Sequence, residues 1–148
     1  MDITPASSDE LNWAATLLPS TDPWLTLGIK TEKILESCKN PEHQVYIAHL
    51  HGKSCGVIII HPNGLAGSPY VKSIAVEVKY RSLGIGSALI RFAEEQFRPN
   101  SRFLFLCVSS FNSRARAFYK KLGYAEIGEF KDYLIDGASE ILMSKRLK

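Results

Sequence analysis

Apolar and polar positions repeat along this chain with two different periods, and each change of period marks an element. From Ile85 the apolar residues Ile85, Ala88, Leu89, Phe92 and Ala93 fall at i, i+3, i+4, i+7 and i+8, one face of a helix that ends near Arg98-Pro99. A second stripe, Ala115, Phe118, Tyr119 and Leu122, follows Asn112 as N-cap and stops at Gly123. Lys120 and Lys121 sit in its last turn, where cations favour the helix dipole. Earlier in the chain, Asp22-Pro23 reads as an N-cap and N1 pair. It opens one amphipathic helix from Trp24 to about Ser37, with a shorter helix before it from roughly Ser8 to Leu17.

Strand patterns fill the remainder. QVYIAHL and CGVIIIH flank the compact turn His51-Gly52-Lys53, as in an antiparallel hairpin. HPNGLAGSP has the composition of a loop, and YVKSIAV, Tyr70 to Val76, returns to strand. RFLFLCV is almost continuously apolar, which predicts a strand covered on both faces, near the centre of the sheet and deepest in the core. YAEIGEF, DYLI and SEILMSKRL read as terminal strands, with Asp136-Gly137 as a hairpin turn. The order α, β, β, β, α, β, α, β, β predicts an α/β fold: a mixed, twisted β-sheet flanked by helices on both faces.

Composition narrows the picture. A chain of 148 residues with 45% hydrophobic positions can bury one core, so residues 1–148 are expected to form a single domain. The net charge of +3 is too small to argue for a nucleic-acid partner. Cys38, Cys55 and Cys107 are odd in number and set among apolar neighbours, which points to reduced thiols and a cytoplasmic protein. The first residues lack an apolar signal segment, and the longest purely aliphatic run, Val57 to Ile60, is far too short to span a bilayer. Neither secretion nor a membrane is expected. His49 and His51 share a strand face without a third ligand, so no metal is expected.

The candidate chemistry lies where strand hands over to helix, at Arg81-Ser82-Leu83-Gly84-Ile85-Gly86-Ser87. Unpaired backbone N–H groups at a helix start, with glycines admitting close approach, make an anion site suited to phosphate. It is not a nucleotide P-loop, because no lysine follows Gly86, and Leu89 stands where a dinucleotide fingerprint needs a third small residue.

Arg81-x-x-Gly84-x-Gly86 is followed by Asn112-x-x-Ala115-x-x-Phe118-Tyr119-x-x-x-Gly123-Tyr124. The two linked motifs, spanning Tyr70 to Tyr124, resemble the GNAT superfamily of acyl-CoA-dependent N-acyltransferases. The resemblance implies acetyl-CoA as acyl donor, with Arg81, Ser82, Leu83, Gly84, Ile85, Gly86 and Ser87 around the pyrophosphate of coenzyme A. By the same likeness Ile74, Ala75 and Val76 pair with the pantetheine arm, and the Val76 N–H faces the developing oxyanion. Asn112, next to Ala115 in the motif, is both a plain N-cap and the position that contacts pantetheine in the family. Tyr119 resembles the general acid for the departing thiolate; a phenol near pKa 10 loses little by protonating a thiolate near 8.5. Lys79, Arg81 and Arg91 around the turn and Arg114, Arg116 and Lys120 on the second helix are candidates to face one polyanionic ligand, with a solvated helix face the other reading, above all for Arg91 and Lys120.

One departure stands out. Many family members carry a glutamate on or beside the strand before the glycine turn, and Tyr70 to Val76 contains no carboxylate. Glu32, Glu77, Glu140 and a relay of waters stay open as the base, with Glu32 the first choice. Family acceptor sites are built from the N-terminal helices and the C-terminal hairpin, which nominates Trp24, Leu27, Glu32, Tyr133 and Glu140 for binding the amine. A carboxylate near an aromatic suits a cationic amine, whether on a small molecule or a peptide. Cys107 lies in an apolar run where a thiol is inert, so direct attack in a ternary complex is expected in place of an acyl-enzyme. The alternative is a catalytically weak acyl-CoA-binding regulatory module of the same fold. Terminal strands of small domains also pair across dimers, which leaves a homodimer open.

Overall fold

A computed structural model describes all residues, Met1–Lys148. The strands are β1 (Asp2–Pro5), β2 (Gln44–Leu50), β3 (Lys53–Leu65), β4 (Ser68–Val76), β5 (Phe103–Ser109), β6 (Ala125–Lys131) and β7 (Ser139–Arg146). The helices are α1 (Ser8–Leu17), α2 (Trp24–Leu27), α3 (Thr31–Lys39), α4 (Ile85–Phe97) and α5 (Ser113–Lys121). The strands form one seven-stranded sheet in the order β1-β2-β3-β4-β5-β7-β6. Every neighbouring pair is antiparallel except β4 and β5.

Local chemistry starts the helices. At α1, Ser7 Oγ accepts from the Glu10 N–H at 3.3 Å while the Glu10 carboxylate accepts from the Ser7 N–H at 3.0 Å, a complete capping box. At α5, Asn112 Oδ1 accepts from the Ala115 N–H at 3.2 Å. Packing then sorts the faces. Ile58 and Ile60 of β3 join Leu89, Leu104, Leu106 and Met143 in a core that also takes in α5 through Tyr119. Val57 and Ile59 turn the other way, to Ala14, Leu18 and Ile34 on the α1 and α3 side. Helices thus cover both faces of the sheet, as the pattern predicts.

The doubly covered strand, however, is β3 and not β5. Cys55 to Ile60 are buried without interruption, whereas β5 alternates: Leu104, Leu106 and Val108 are buried, and Phe103, Phe105 and Cys107 only half so. No residue of β5 joins the core beneath α1 and α3, which leaves its second face partly open. Further elements differ from the pattern. The helix expected from Trp24 to Ser37 is broken in two, because Gly28 takes the left-handed conformation at φ 68° and ends α2. Asp22 still accepts from the Thr26 N–H, at 3.0 Å. HPNGLAGSP is mostly strand, with Leu65 paired to Ser68 around the turn Ala66-Gly67. A Cβ at Gly64 would lie 2.7 Å from Tyr70 Cβ, so that glycine serves close packing inside the hairpin. DYLI forms no strand: residues 132–138 are a largely exposed connection between Lys131 and Ser139, tied by a 2.7 Å bond from the Gly137 N–H to Asp132 Oδ1. β1, with one half-buried residue, carries too little pattern to be seen and exists by pairing with β2.

One topological feature prepares a site. β4 and β5 pair only at Tyr70–Phe105 and Val71–Leu106. Lys72 is skipped in the β3–β4 register, where Ile60 faces Val71 and Ile59 faces Ser73. After this bulge the two parallel strands part, leaving the β5-facing edge of β4 without a ladder. No helix is long and apolar enough to cross a membrane, and the three cysteines are free thiols.

Candidate active site

The parting strands open a cleft of about 2050 Å³, continuous from the glycine turn to the C-terminal hairpin. Pockets for one small ligand measure roughly 300–1,000 Å³, so this cleft has room for two.

At one end lies the turn before α4. Ser82 and Gly84 both take positive φ, 66° and 80°, which curls the chain before the helix begins. The first bond of the helix runs from the Ala88 N–H to the Gly84 carbonyl at 3.0 Å, and the N–H groups of Ile85, Gly86 and Ser87 have no helical acceptor. Together with the helix dipole they present a positive concavity. Arg81, Ser82, Gly84, Ile85, Gly86 and Ser87 line the cleft; Leu83 is 61% exposed and does not. Arg114, Lys120 and Lys121 add charge from α5. Lys79, Arg91 and Arg116 stay outside, Arg116 being held by Glu126 at 2.9 Å.

In the middle, Ile74, Ala75 and Val76 form one wall and α5 the other. The Glu77 N–H donates to the Cys55 carbonyl on β3 at 2.9 Å. Because strand amides alternate in direction, the Val76 N–H points the other way, into the gap. Its carbonyl on that side accepts from Arg81 Nε at 3.3 Å. Across the gap Tyr119 is only 6% exposed, its ring set edge-on to Phe118 and Tyr124. Its hydroxyl has no partner within the protein, and burial pushes its pKa well above that of a free phenol, so it keeps its proton at neutral pH. Asn112 and Ala115 line the same wall.

At the far end, Glu140 of β7 stands opposite Ser109 of β5 and accepts from Ser109 Oγ at 2.5 Å. Burial raises the Glu140 carboxyl above the ordinary range, partly offset by that bond. Tyr70, Cys107 and Tyr133 gather around it. Burial pushes up the phenol of Tyr70 and the thiol of Cys107, and Glu140 adds to both shifts. Trp24 and Leu27 of α2 line the cleft too, and the Trp24 Nε1 is buried without a partner.

The structure brings the nominated residues to one cleft except for six: Lys79, Arg91 and Arg116, together with Leu83, Glu77 and Glu32. Glu32, the first choice for a base, stands exposed on the first turn of α3 and does not line the cleft. Two carboxylates do: Asp22, which accepts from both the N–H and the hydroxyl of Thr26, and Glu140. Sequence reasoning passed over Tyr70 as a site residue. Only its place beside Cys107 of the neighbouring strand reveals it, and no local signal carries that.

Comparison with known proteins agrees with this geometry. The chain is 33% identical over 103 residues to an uncharacterized N-acetyltransferase of Methanocaldococcus jannaschii, covering 68% of this chain and 65% of the relative. It is 31% identical over 125 residues to an N-alpha-acetyltransferase of Sulfurisphaera tokodaii, covering 76% of this chain and 75% of the relative. An aminoglycoside 6′-N-acetyltransferase, solved in complex with coenzyme A, shares the fold over 100% of this chain and 98% of its own, with a TM-score of 0.81 at 20% identity. The model of the acetyltransferase (GNAT) family matches residues 9–124, and with most of the chain inside that match, this protein belongs to the acetyltransferase (GNAT) family.

Proposed function

We propose that the protein transfers the acetyl group of acetyl-CoA to a primary amine, and that the amine is the N-terminus of a polypeptide. The observation that carries the reading is the single cleft running through the gap between β4 and β5, with free helix N–H groups at one end and a half-buried carboxylate at the other. The relative named N-alpha-acetyltransferase supports the polypeptide amine. So does the cleft itself: it is rich in cations and aromatic residues and has two carboxylates, a poor match for a polycationic aminoglycoside.

The donor supplies an activated thioester. The N–H groups of Ile85, Gly86 and Ser87, with Arg81 and Arg114, bind its pyrophosphate. The free edge of Ile74 to Val76 takes the pantetheine amides as an added strand would. The Val76 N–H, fixed in direction by the β3 ladder, stabilises charge on the carbonyl oxygen without reorganisation. Tyr119 keeps its proton until the C–S bond breaks and gives it to the sulfur. Trp24, Tyr133 and Glu140 hold the amine.

Thiol release from acetyl-CoA, followed with peptides bearing free N-termini, polyamines and aminoglycosides, tests the reading. Turnover with peptides above all others, strongly reduced in Tyr119→Phe, is the expected result. Acetyl-CoA retained without release across the whole panel would show a regulatory binding module in place of an enzyme.

A further inference from the structure

We infer that Glu140 receives the proton of the attacking amine, with Ser109 holding the carboxylate in position. The inference rests on the acetyltransferase reading above and supplies the base that β4 lacks.

The geometry singles out this residue by its surroundings. β4 carries no carboxylate from Tyr70 to Val76. Asp22 is engaged by Thr26 at 3.0 and 2.5 Å. Glu77 lies outside the cleft lining, 3.9 Å from Lys79, and Glu32 is exposed on α3. Glu140 alone combines a place in the cleft, partial burial and a fixed rotamer. Ser109, fully buried, donates to Oε2 at 2.5 Å, and Oε1 has no protein partner.

The groups around it come from three elements: Tyr70 and Lys72 from β4, Cys107 from β5 and Tyr133 from the β6–β7 connection. Tyr70 and Cys107 remain neutral at pH 7 because burial raises both. Lys72 is exposed, so water screens its charge. A carboxylate in such a site is a stronger base than one in water and attracts an ammonium group.

The protons balance in the following order. The ammonium gives one proton to Glu140, which releases it to water at the cleft mouth. The neutral nitrogen attacks the thioester carbonyl carbon, forming the C–N bond. Collapse breaks the C–S bond, and the sulfur takes the proton of Tyr119. The second proton leaving nitrogen returns through water to the Tyr119 phenolate.

The test uses the whole protein, acetyl-CoA and the best peptide of the panel. Glu140→Gln keeps the shape and an acceptor for Ser109. It is expected to lower kcat/KM at pH 7 by about 100-fold or more, within the range that general-base catalysis contributes. It should abolish the low-pH limb of the profile and leave the Kd for acetyl-CoA unchanged; Glu140→Asp is expected to fall between. Hydroxylamine, largely neutral at pH 7, has no ammonium proton to give up before attack, so its turnover by Glu140→Gln is expected to fall by a smaller factor than peptide turnover does. Peptide turnover by Glu140→Gln within threefold of wild type overturns the inference, and so does equal loss with peptide and hydroxylamine, which marks a merely structural role. A wild type silent with every acceptor overturns the acetyltransferase reading and this inference with it.

Discussion

The two ends of the cleft are built in opposite ways. At the glycine turn the groups proposed to grip an anion belong to one short run, Arg81 to Ser87, and most are main-chain N–H groups whose direction follows from two positive φ values and a helix start. At the acceptor end Tyr70, Cys107, Ser109, Tyr133 and Glu140 come from β4, β5, the β6–β7 connection and β7, and register alone brings them together. A backbone-built end tolerates side-chain change and suits a constant ligand. A side-chain-built end varies with every substitution and suits a ligand that differs from one relative to the next.

This contrast can be broken by substitution, and Tyr119→Phe, between the two ends, is the largest expected effect. Loss of the proton donor lowers kcat by about 10²–10⁴-fold. Equilibrium binding should show the affinity for acetyl-CoA unmoved. Gly84→Val attacks the donor end only: a β-branched residue at φ 80° costs about 1–2 kcal/mol and displaces the N–H groups that follow. Initial-rate kinetics should give a KM for acetyl-CoA raised about tenfold, with the acceptor KM unchanged. Tyr133→Ala attacks the other end. That side chain is 67% exposed on the cleft rim, so its removal should raise the peptide KM about threefold and leave the acetyl-CoA KM alone, as the same assay reports. If either substitution moves both constants, the two ends are coupled and the comparison fails.

The smallest effect concerns stability. Burial raises the folded pKa of Glu140, so the protonated form is favoured in the folded state. The stability this brings is present below the ordinary carboxylate range and is lost as pH rises through the raised value. Glu140→Gln removes that loss. Melting curves from pH 4 to 8 should show the variant equal to wild type at the acidic end and more stable at pH 7, by no more than ~4 °C because half-solvated charge is screened. A site that gives up stability for a useful carboxylate would behave in this way.

Legibility in the sequence followed the same contrast. α4 and α5 were readable because cap, stripe and terminator lie in one window: Asn112, then Ala115 to Leu122, then Gly123. The glycine turn was readable for the same reason. The break at Gly28 was not, because the apolar residues on either side still fit one helical face and only the backbone conformation of Gly28 separates them. The hairpin end at Gly64 read as loop because the glycine there answers a close approach of Tyr70, a contact invisible in composition. Glu140 was nominated from the sequence only as one of several carboxylates. Its standing above Glu32 comes from Ser109, thirty-one positions away along the chain.

The sequence by itself determined the α/β class, the paired motifs and the glycine turn before α4, since those depend on neighbours a few residues apart and on fixed backbone preferences. Tertiary structure alone decided that β3 and not β5 is covered on both faces, that β4 and β5 part after Val71, and which carboxylates line the cleft. Those outcomes depend on strand register, where a shift of one residue sends every side chain to the opposite face.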